Sequence, residues 1–524
     1  MTDKVREMGE VLDLVRDGDV VACSGFGVAA LAEEVLVGLE GRFLAVGRPK
    51  NLTLYNGSGL SDANGGGSDH LAHEGLLKRI VAGFFGFNYR MRELIERNGV
   101  EAYNIPQGVV MRLLRERLLG NPGHITRIGL GTFVDPRAEG GRMNAQTTEE
   151  IVELVNLMGE ERLFYRVPRI DVGIIRATAA DSDGNLCVDE EALPSDIRVV
   201  AMAARASGGR VIAQVKHIAR AGSLTADKIY LPGIFVDAVV QCREPQKYHR
   251  FIGNVVNFDP SLTGRLKVKT PTAPLLPLDA KKIIARRAAL EMLPGGVVNL
   301  GVGTPEFIAA IAVEEGVTEM TTLTSESGAI GGEPCGGQEF GATRNPVCIF
   351  DQPTQFDFYV GGGLDAAFLG FAQADEGGNV NLSRFGGRIY GCGGSIDITQ
   401  STRRVIFCGS FTAGELEEEI GDGFLVVKRE GRSKKFVREV EQVTYNRKSA
   451  PDGQEASIVT ERAVFRLTGS GLVLTEIAPG VDLDRDILAQ MEFAPEIDRN
   501  LRMMDEALFK SGPIGLRKRM AGQC

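Results

Sequence analysis

The chain has 524 residues, with 59 Lys and Arg against 69 Asp and Glu, for a net charge of −10. That length exceeds one hydrophobic core and calls for two large domains or several smaller ones. The acidic balance weighs against nucleic acid as the main partner, no apolar stretch is long enough to span a bilayer, and eight cysteines and five histidines without a C-x-x-C pair suggest neither a zinc site nor a disulfide framework.

The N-terminal stretch MTDKVREMGEVLDLVRDGD has no apolar signal-peptide core and reads as a surface helix, so a cytoplasmic protein is expected. From Gly18, GDVVACSGFGVAALAEEVLVGL gives a turn, a short apolar strand, a G-x-G turn and an amphipathic helix with Val28, Leu31, Val35 and Leu39 at helical spacing. GFGVAA (Gly25–Ala30) is like a dinucleotide fingerprint, but the next strand, NLTLYNG, ends in Asn56 and Gly57 without the acid that would hold a ribose. No nucleotide cofactor is therefore expected.

Pro271, Pro274 and Pro277 mark LKVKTPTAPLLPLDAKK (Leu266–Lys282) as a linker. The expected division is 1–265, a linker at 266–278, and 279–524. The second half echoes the first. GGVVNLGVGTPEFIAAIAVEEG from Gly295 repeats the strand, G-x-G turn and helix, with Phe307, Ile308 and Ile311 on one helix face. DAAFLGFAQADEGGNVNL from Asp365 repeats DVGIIRATAADSDGNLCV from Asp171. Alternating strands and helices imply two related open α/β domains with mostly parallel sheets. Ligands gather at the C-terminal ends of such strands, and the cleft between the halves is the expected active site. Cys23, Cys392 and Cys408 read as buried small side chains, and Arg517–Arg519 as a solvated tail.

Three short stretches carry possible chemistry. In GVGTP (Gly301–Pro305) Thr304 suits an N-cap and Pro305 the first helical position; the glycines admit a ligand to free amides, while Glu306 opposes a strongly anionic one. GCGGSID (Gly391–Asp397) reads as a loop presenting N–H groups to an oxyanion or an amide. The alternative for either stretch is an ordinary tight turn, which for GVGTP taken alone is the favoured reading. In TLTSESGAIGG (Thr322–Gly332) Glu326 stands among small residues that would admit a bulky electrophile, which favours a carboxylate nucleophile. General acid/base work would usually call for a second acid or a histidine nearby.

SESGAIGG resembles the catalytic glutamate motif of the class I coenzyme A transferases, often written S-E-N-G. GVGTP is similar to that family's G-x-G-x-P coenzyme A loop, and GCGGSID to its G-x-G-G loop. The resemblance covers nearly the whole chain and is to the single-chain acetate/propionate type, with fused α- and β-subunit-like halves. It runs through AHEGLLKRIVAG, EAYNIPQGVVMRLLRERL, GLGTFVDPR and QFDFYVGGGLDAAFLGFAQADEGGNVNLSRFGGR. Departures are Ser327, where the family often has asparagine, and GFFGFNYRMREL (Gly83–Leu94); both bear on the choice of acyl group.

The resemblance implies ping-pong transfer of coenzyme A from a short-chain acyl-CoA to a small carboxylic acid, with Glu326 passing through an anhydride and a glutamyl–CoA thioester. It implies oxyanion donors at the Gly394 N–H and the Gln107 side-chain amide. Gly301, Val302, Gly303, Thr304 and Pro305 would line the coenzyme A site, with Asn379, Gly391 and Gly393 beside them. Coenzyme A is then a co-substrate, no metal is needed, and a homodimer or homotetramer is expected. An acyl-CoA hydrolase on the same scaffold and a non-catalytic coenzyme A binding protein are the alternatives.

Overall fold

Apolar-rich runs in the first half form strands that are mostly buried, as a parallel sheet covered by helices requires. They are β1 (Val20–Cys23), β2 (Leu52–Asn56), β3 (Leu77–Ala82), β4 (Glu101–Asn104), β5 (Val172–Asp181), β6 (Arg210–Ala219) and β7 (Ala238–Gln241). In the computed structural model, which describes residues 3–269 and 275–522, they lie in the order β7-β6-β5-β1-β2-β3-β4, each parallel to its neighbours. The order reverses between β1 and β5, which makes that edge a topological switch point. The middle of the proline-rich linker, 270–274, lies outside the described residues.

Helices α1 (Glu33–Val46), α2 (Gln107–Leu119) and α3 (Ile197–Ala206) cover this sheet, α3 burying Ile197, Val200, Ala201 and Ala204 against β5 and α2. The α1 helix stops where Gly47 turns left-handed, at φ +69°, and donates its N–H to Phe43 O at 2.7 Å. It also starts later than the spacing of Val28 and Leu31 suggests. Gly27 and Ala30 have positive φ, so Val28 and Leu31 are buried in a turn ahead of the helix. The expected N-terminal helix is short, Met8–Leu12, with Val11 and Leu12 buried.

The chain divides into two units. The first runs as far as Leu266 and adds Ile349–Asp357 and Arg388–Asp397; the second holds Lys267–Cys348, Phe358–Gly387 and the chain from Ile398 onward. The main sheet of the second unit includes β8 (Val297–Leu300), β9 (Thr322–Thr324), β10 (Ala329–Ile330), β11 (Ala366–Gly370), β12 (Arg404–Cys408), β13 (Glu455–Val459), β14 (Ala463–Thr468), β15 (Gly471–Ile477) and β16 (Glu496–Met503). Their order is β10-β9-β8-β11-β12-β13-β14-β15-β16. From β9 to β13 the neighbours are parallel; β10, β14 and β15 pair antiparallel with the strands before them. Helices α4 (Ala280–Ala289) and α5 (Phe307–Glu314) pack on each other. The basic run Arg517–Arg519 is not a tail: it lies in a last helix, Leu516–Ala521, whose Leu516 and Met520 are buried.

The echo between the halves is structural. The arrangement β2-β1-β5-β6-β7 recurs as β9-β8-β11-β12-β13. The Asp171 carboxylate accepts the Val20 N–H at 3.0 Å, and the Asp365 carboxylate accepts the Val297 N–H at 2.8 Å. At the end of β5, Asp181 accepts both the backbone and side-chain N–H of Asn185; past β11, Asp375 does the same for Asn379. Each pair closes the acidic, glycine-containing turn seen in both sequences.

Candidate active site

In the second unit, β8 and β9 are adjacent and parallel, with Asn299 opposite Thr324, so the segments following them leave one sheet edge side by side. These are Gly301–Pro305 and Ser325–Gly328. Gly301 prolongs the ladder by donating to Phe368 O at 2.8 Å. Gly303, at φ +88°, then turns the chain into a short 3-10 helix, Thr304–Glu306, which runs on into α5. The expected Thr304 cap is replaced. Gly303 is the capping residue, and Glu306 reaches back to accept its N–H at 2.6 Å while also accepting the Gly337 N–H at 2.8 Å. The carboxylate therefore occupies one of the amides expected to be free for a ligand. Pro305 is buried, and Val302 remains 44% exposed.

Glu326 lies at the bend between β9 and β10, half-buried. Ser325 N–H donates to Ala329 O at 2.9 Å, and Gly328 N–H returns to Ser325 O at 3.0 Å. Gly328 has φ +127°, which favours glycine there. The wholly buried Ser327 holds the turn down, its hydroxyl 2.9 Å from that of Ser325 and donating to Gly341 O. Beneath, Asn299 donates to the Tyr359 hydroxyl at 3.2 Å, which donates to Thr324 Oγ1 at 2.8 Å. The carboxylate thus projects from a turn fixed on both flanks and from below.

Gln107 and the Gly391–Asp397 stretch are brought together in the first unit. Gln107 N–H donates to Gly393 O at 3.0 Å, and Gly393 N–H to Gly83 O at 2.7 Å. Asn104 accepts the Cys392 N–H at 2.8 Å, and its amide donates to the carbonyls of Ala82 and Gly83 at 2.9 and 2.7 Å. The loop therefore seats on the ends of β3 and β4. A side chain on Gly391 would lie 2.8 Å from the Asn104 amide, so this glycine serves close packing. The buried Gly394 follows, and its N–H has no acceptor among the described residues. Asp397 closes the stretch: it accepts the Gly108 N–H at 3.0 Å, and burial pushes its carboxyl up to about 6 while Arg112 pulls the other way. Asn379 is occupied in its own turn by Asp375, as Asn185 is by Asp181.

A family model described as Coenzyme A transferase matches residues 5–242. The caffeate CoA-transferase of Acetobacterium woodii is 44% identical over 513 residues, 97% of each chain. The chain belongs to the coenzyme A transferase family. Acetate CoA-transferase YdiF of Escherichia coli K12 is 41% identical over 508 residues, 97% of this transferase and 95% of that protein. The crystal structure of the acyl-CoA transferase YdiF apoenzyme from E. coli O157:H7 matches with a TM-score of 0.92 at 39% identity, over 98% of this chain and 97% of that one. The transferase is thus a two-domain α/β enzyme that transfers coenzyme A, its co-substrate.

Among the described residues no helix of the transferase is long and apolar enough to cross a membrane, and no group of three or more His, Cys, Asp or Glu residues could hold a metal ion. Cys23, Cys392 and Cys408 are buried. Sequence reasoning missed Asn104, Asp397 and Arg112, which tie the Gly391–Asp397 stretch to β4 and α2, and also Ser58 and Gln352. The glycines after each strand were the available signal. A side chain on Gly83 would strike Gly57 O at 2.2 Å, so two strand ends meet there with no room for one. The divergent Gly83–Leu94 stretch packs against the same segment, Phe85 N–H donating to Tyr390 O at 2.7 Å.

Proposed function

We propose that this transferase moves coenzyme A from a short-chain acyl-CoA to a free carboxylic acid through a glutamyl–CoA thioester on Glu326. The observation that carries the reading is the place of Glu326, projecting from a braced turn beside the Gly301–Pro305 segment in a chain of this family. Its carboxylate attacks the thioester carbonyl and expels the coenzyme A thiolate, leaving an acyl–glutamyl anhydride. The thiolate attacks the glutamyl carbonyl, releases the carboxylic acid as its anion, and leaves the glutamyl thioester. The acceptor carboxylate runs the same steps in reverse. No bond energy is lost overall, since one thioester and one carboxylate stand on each side. The structure of YdiF described as a thioester complex with CoA supports a covalent course.

The tetrahedral oxyanion formed at each attack is assigned to the Gly394 N–H and the Gln107 amide. The open N–H of Gly394 supports this, since an amide ready for developing charge needs no reorganisation in the transition state. Gly301, Val302, Gly303, Thr304 and Pro305 are assigned to the coenzyme. Gly391 and Gly393 shape the oxyanion loop, and Asn379 keeps its turn. Acetate and propionate are the first acids to test, with caffeate beside them because relatives are named for acetate and caffeate. The working form is placed in the cytoplasm as a homodimer or homotetramer.

Intact-protein mass spectrometry after brief mixing with acetyl-CoA, propionyl-CoA or caffeoyl-CoA tests the reading. Wild type should gain the mass of coenzyme A less water and lose it on adding acetate, and Glu326→Gln should gain nothing. Turnover by wild type without any such adduct, or an adduct that persists in Glu326→Gln, would sink the assignment.

A further inference from the structure

The strand β2 ends in Asn56-Gly57-Ser58, where the sequence offers no acid for a ribose. The structure gives this end another use. Asn56 clamps the Ser58 carbonyl with its amide, and Gly57 packs closely on Met111, whose Cε lies 2.7 Å from where a Cβ would sit. Ser58 is 2% exposed. Its hydroxyl donates to Gln352 Oε1 at 3.2 Å, and the same oxygen lies 3.3 Å from the Ser195 hydroxyl. Gln352 is wholly buried, its backbone N–H donates to Ser195 O at 3.0 Å, and its amide oxygen is the end turned to the two hydroxyls. On the other side, Gln107 Nε2 donates to Ser58 Oγ at 3.2 Å.

A hydroxyl carries one proton. Once Ser58 gives it to Gln352, its oxygen is only an acceptor toward Gln107, and an amide oxygen turned the same way would face lone pairs. We propose that Ser58, ordered by Gln352, is a positioning residue that sets which way the Gln107 amide faces and keeps an N–H of that amide for the oxyanion. The proposal rests on the oxyanion role assigned to Gln107. Reversing the proton order along the row would turn both amides together, so Ser58 remains the link in either order. Glutamine amides are free to rotate end for end, and among the described residues no other hydrogen bond to the Gln107 side chain would choose between its two faces.

The test is steady-state transfer from acetyl-CoA to propionate, or with whichever pair forms the adduct fastest. Gln107→Ala should lower kcat about 100-fold and Ser58→Ala at least about 10-fold, both with KM for acyl-CoA within about two-fold of wild type. The double variant should be no slower than Gln107→Ala alone, because one removes what the other positions. Ser58→Thr, which keeps the hydroxyl, should regain most of kcat. If Ser58→Ala unfolds, Gln352→Leu carries the test and should also lower kcat at constant KM. Wild-type kcat in Ser58→Ala beside a slow Gln107→Ala, or losses that multiply in the double variant, would overturn the positioning role. Wild-type kcat in Gln107→Ala would instead overturn the oxyanion assignment, and this proposal with it.

Discussion

Glu306 supports two opposite expectations, and one substitution separates them. From sequence, a carboxylate in the first turn after GVGTP repels an anionic ligand. In the structure it accepts the N–H groups of Gly303 and Gly337 at 2.6 and 2.8 Å and thereby fixes the bend of the loop. A hydrogen bond to a charged group contributes about 1.5–3 kcal/mol, and the half-exposed position of Glu306 calls for the lower end. Losing the Gly303 bond at about 1.5 kcal/mol converts to roughly ten-fold weaker acyl-CoA binding, if the loop must be re-formed around the coenzyme. Glu306→Ala should therefore raise KM for acyl-CoA roughly ten-fold with kcat nearly unchanged, and Glu306→Gln, which keeps one neutral acceptor, should fall between. Calorimetric titration with free coenzyme A gives the same quantity without turnover. Equal or tighter binding by Glu306→Ala at low salt, with the difference fading as salt rises, would mean repulsion dominates and the loop-shaping argument is wrong.

Three further outcomes follow from packing and charge. Gly→Ala inside a helix usually gains about 1 kcal/mol, yet Gly108→Ala should lose about 1–3 kcal/mol, because its Cβ would stand 2.5 Å from Asp397 Oδ1 and 2.8 Å from Phe356 Cδ1; urea unfolding gives the sign. Burial works to raise the Glu191 carboxyl, but Arg176 and His249 hold it at about 2, so its stabilisation is complete above the ordinary glutamate value near 4.5 and lost as pH falls toward 2. Glu191→Gln should cost about 3–5 kcal/mol at pH 7 by leaving Arg176 unpaired, and urea midpoints from pH 7 to 3 should show that cost shrinking. Lys435 lies 3.7 Å from the Phe371 ring centroid, and burial brings its amine down to about 7. The unfolded chain then binds the extra proton between pH 7 and 10.5, so wild type should gain stability relative to Lys435→Met across that window, and parallel pH profiles for the two would refute the burial argument.

What could be read in advance was local. The β1 and β8 strands, the turns after them, and the small-residue setting of Glu326 follow from apolar runs and glycines within a few residues of each other. The later start of α1 was hidden because Ala30 adopts a positive φ that alanine rarely takes, while Val28 and Leu31 keep helical spacing. The Thr304 cap was a fair expectation that lost to a longer side chain: Glu306 reaches the Gly303 amide, and the capping residue moves back by one. Contacts such as Gln107 N–H to Gly393 O join residues far apart in the chain, and no periodicity records them. For the same reason nothing in the sequence showed that Ile349–Asp357 and Arg388–Asp397 belong with the first unit.

The internal repeat allows the two G-x-G turns to be compared directly. Both turns follow equivalent strands, and both strands begin with an N–H held by an equivalent aspartate, so the backbone device is the same. Their surroundings differ. After β1, the Gly25 N–H is given to Asp196 at 2.9 Å, and Phe26 and Val28 are 7% and 2% exposed. After β8, Val302 is 44% exposed and Gly303 lies open, its N–H held by the Glu306 side chain. The asymmetry between the halves lies not in the strands or the glycines but in what covers the turn, with the buried Asp196 holding the Gly25 N–H in the first half.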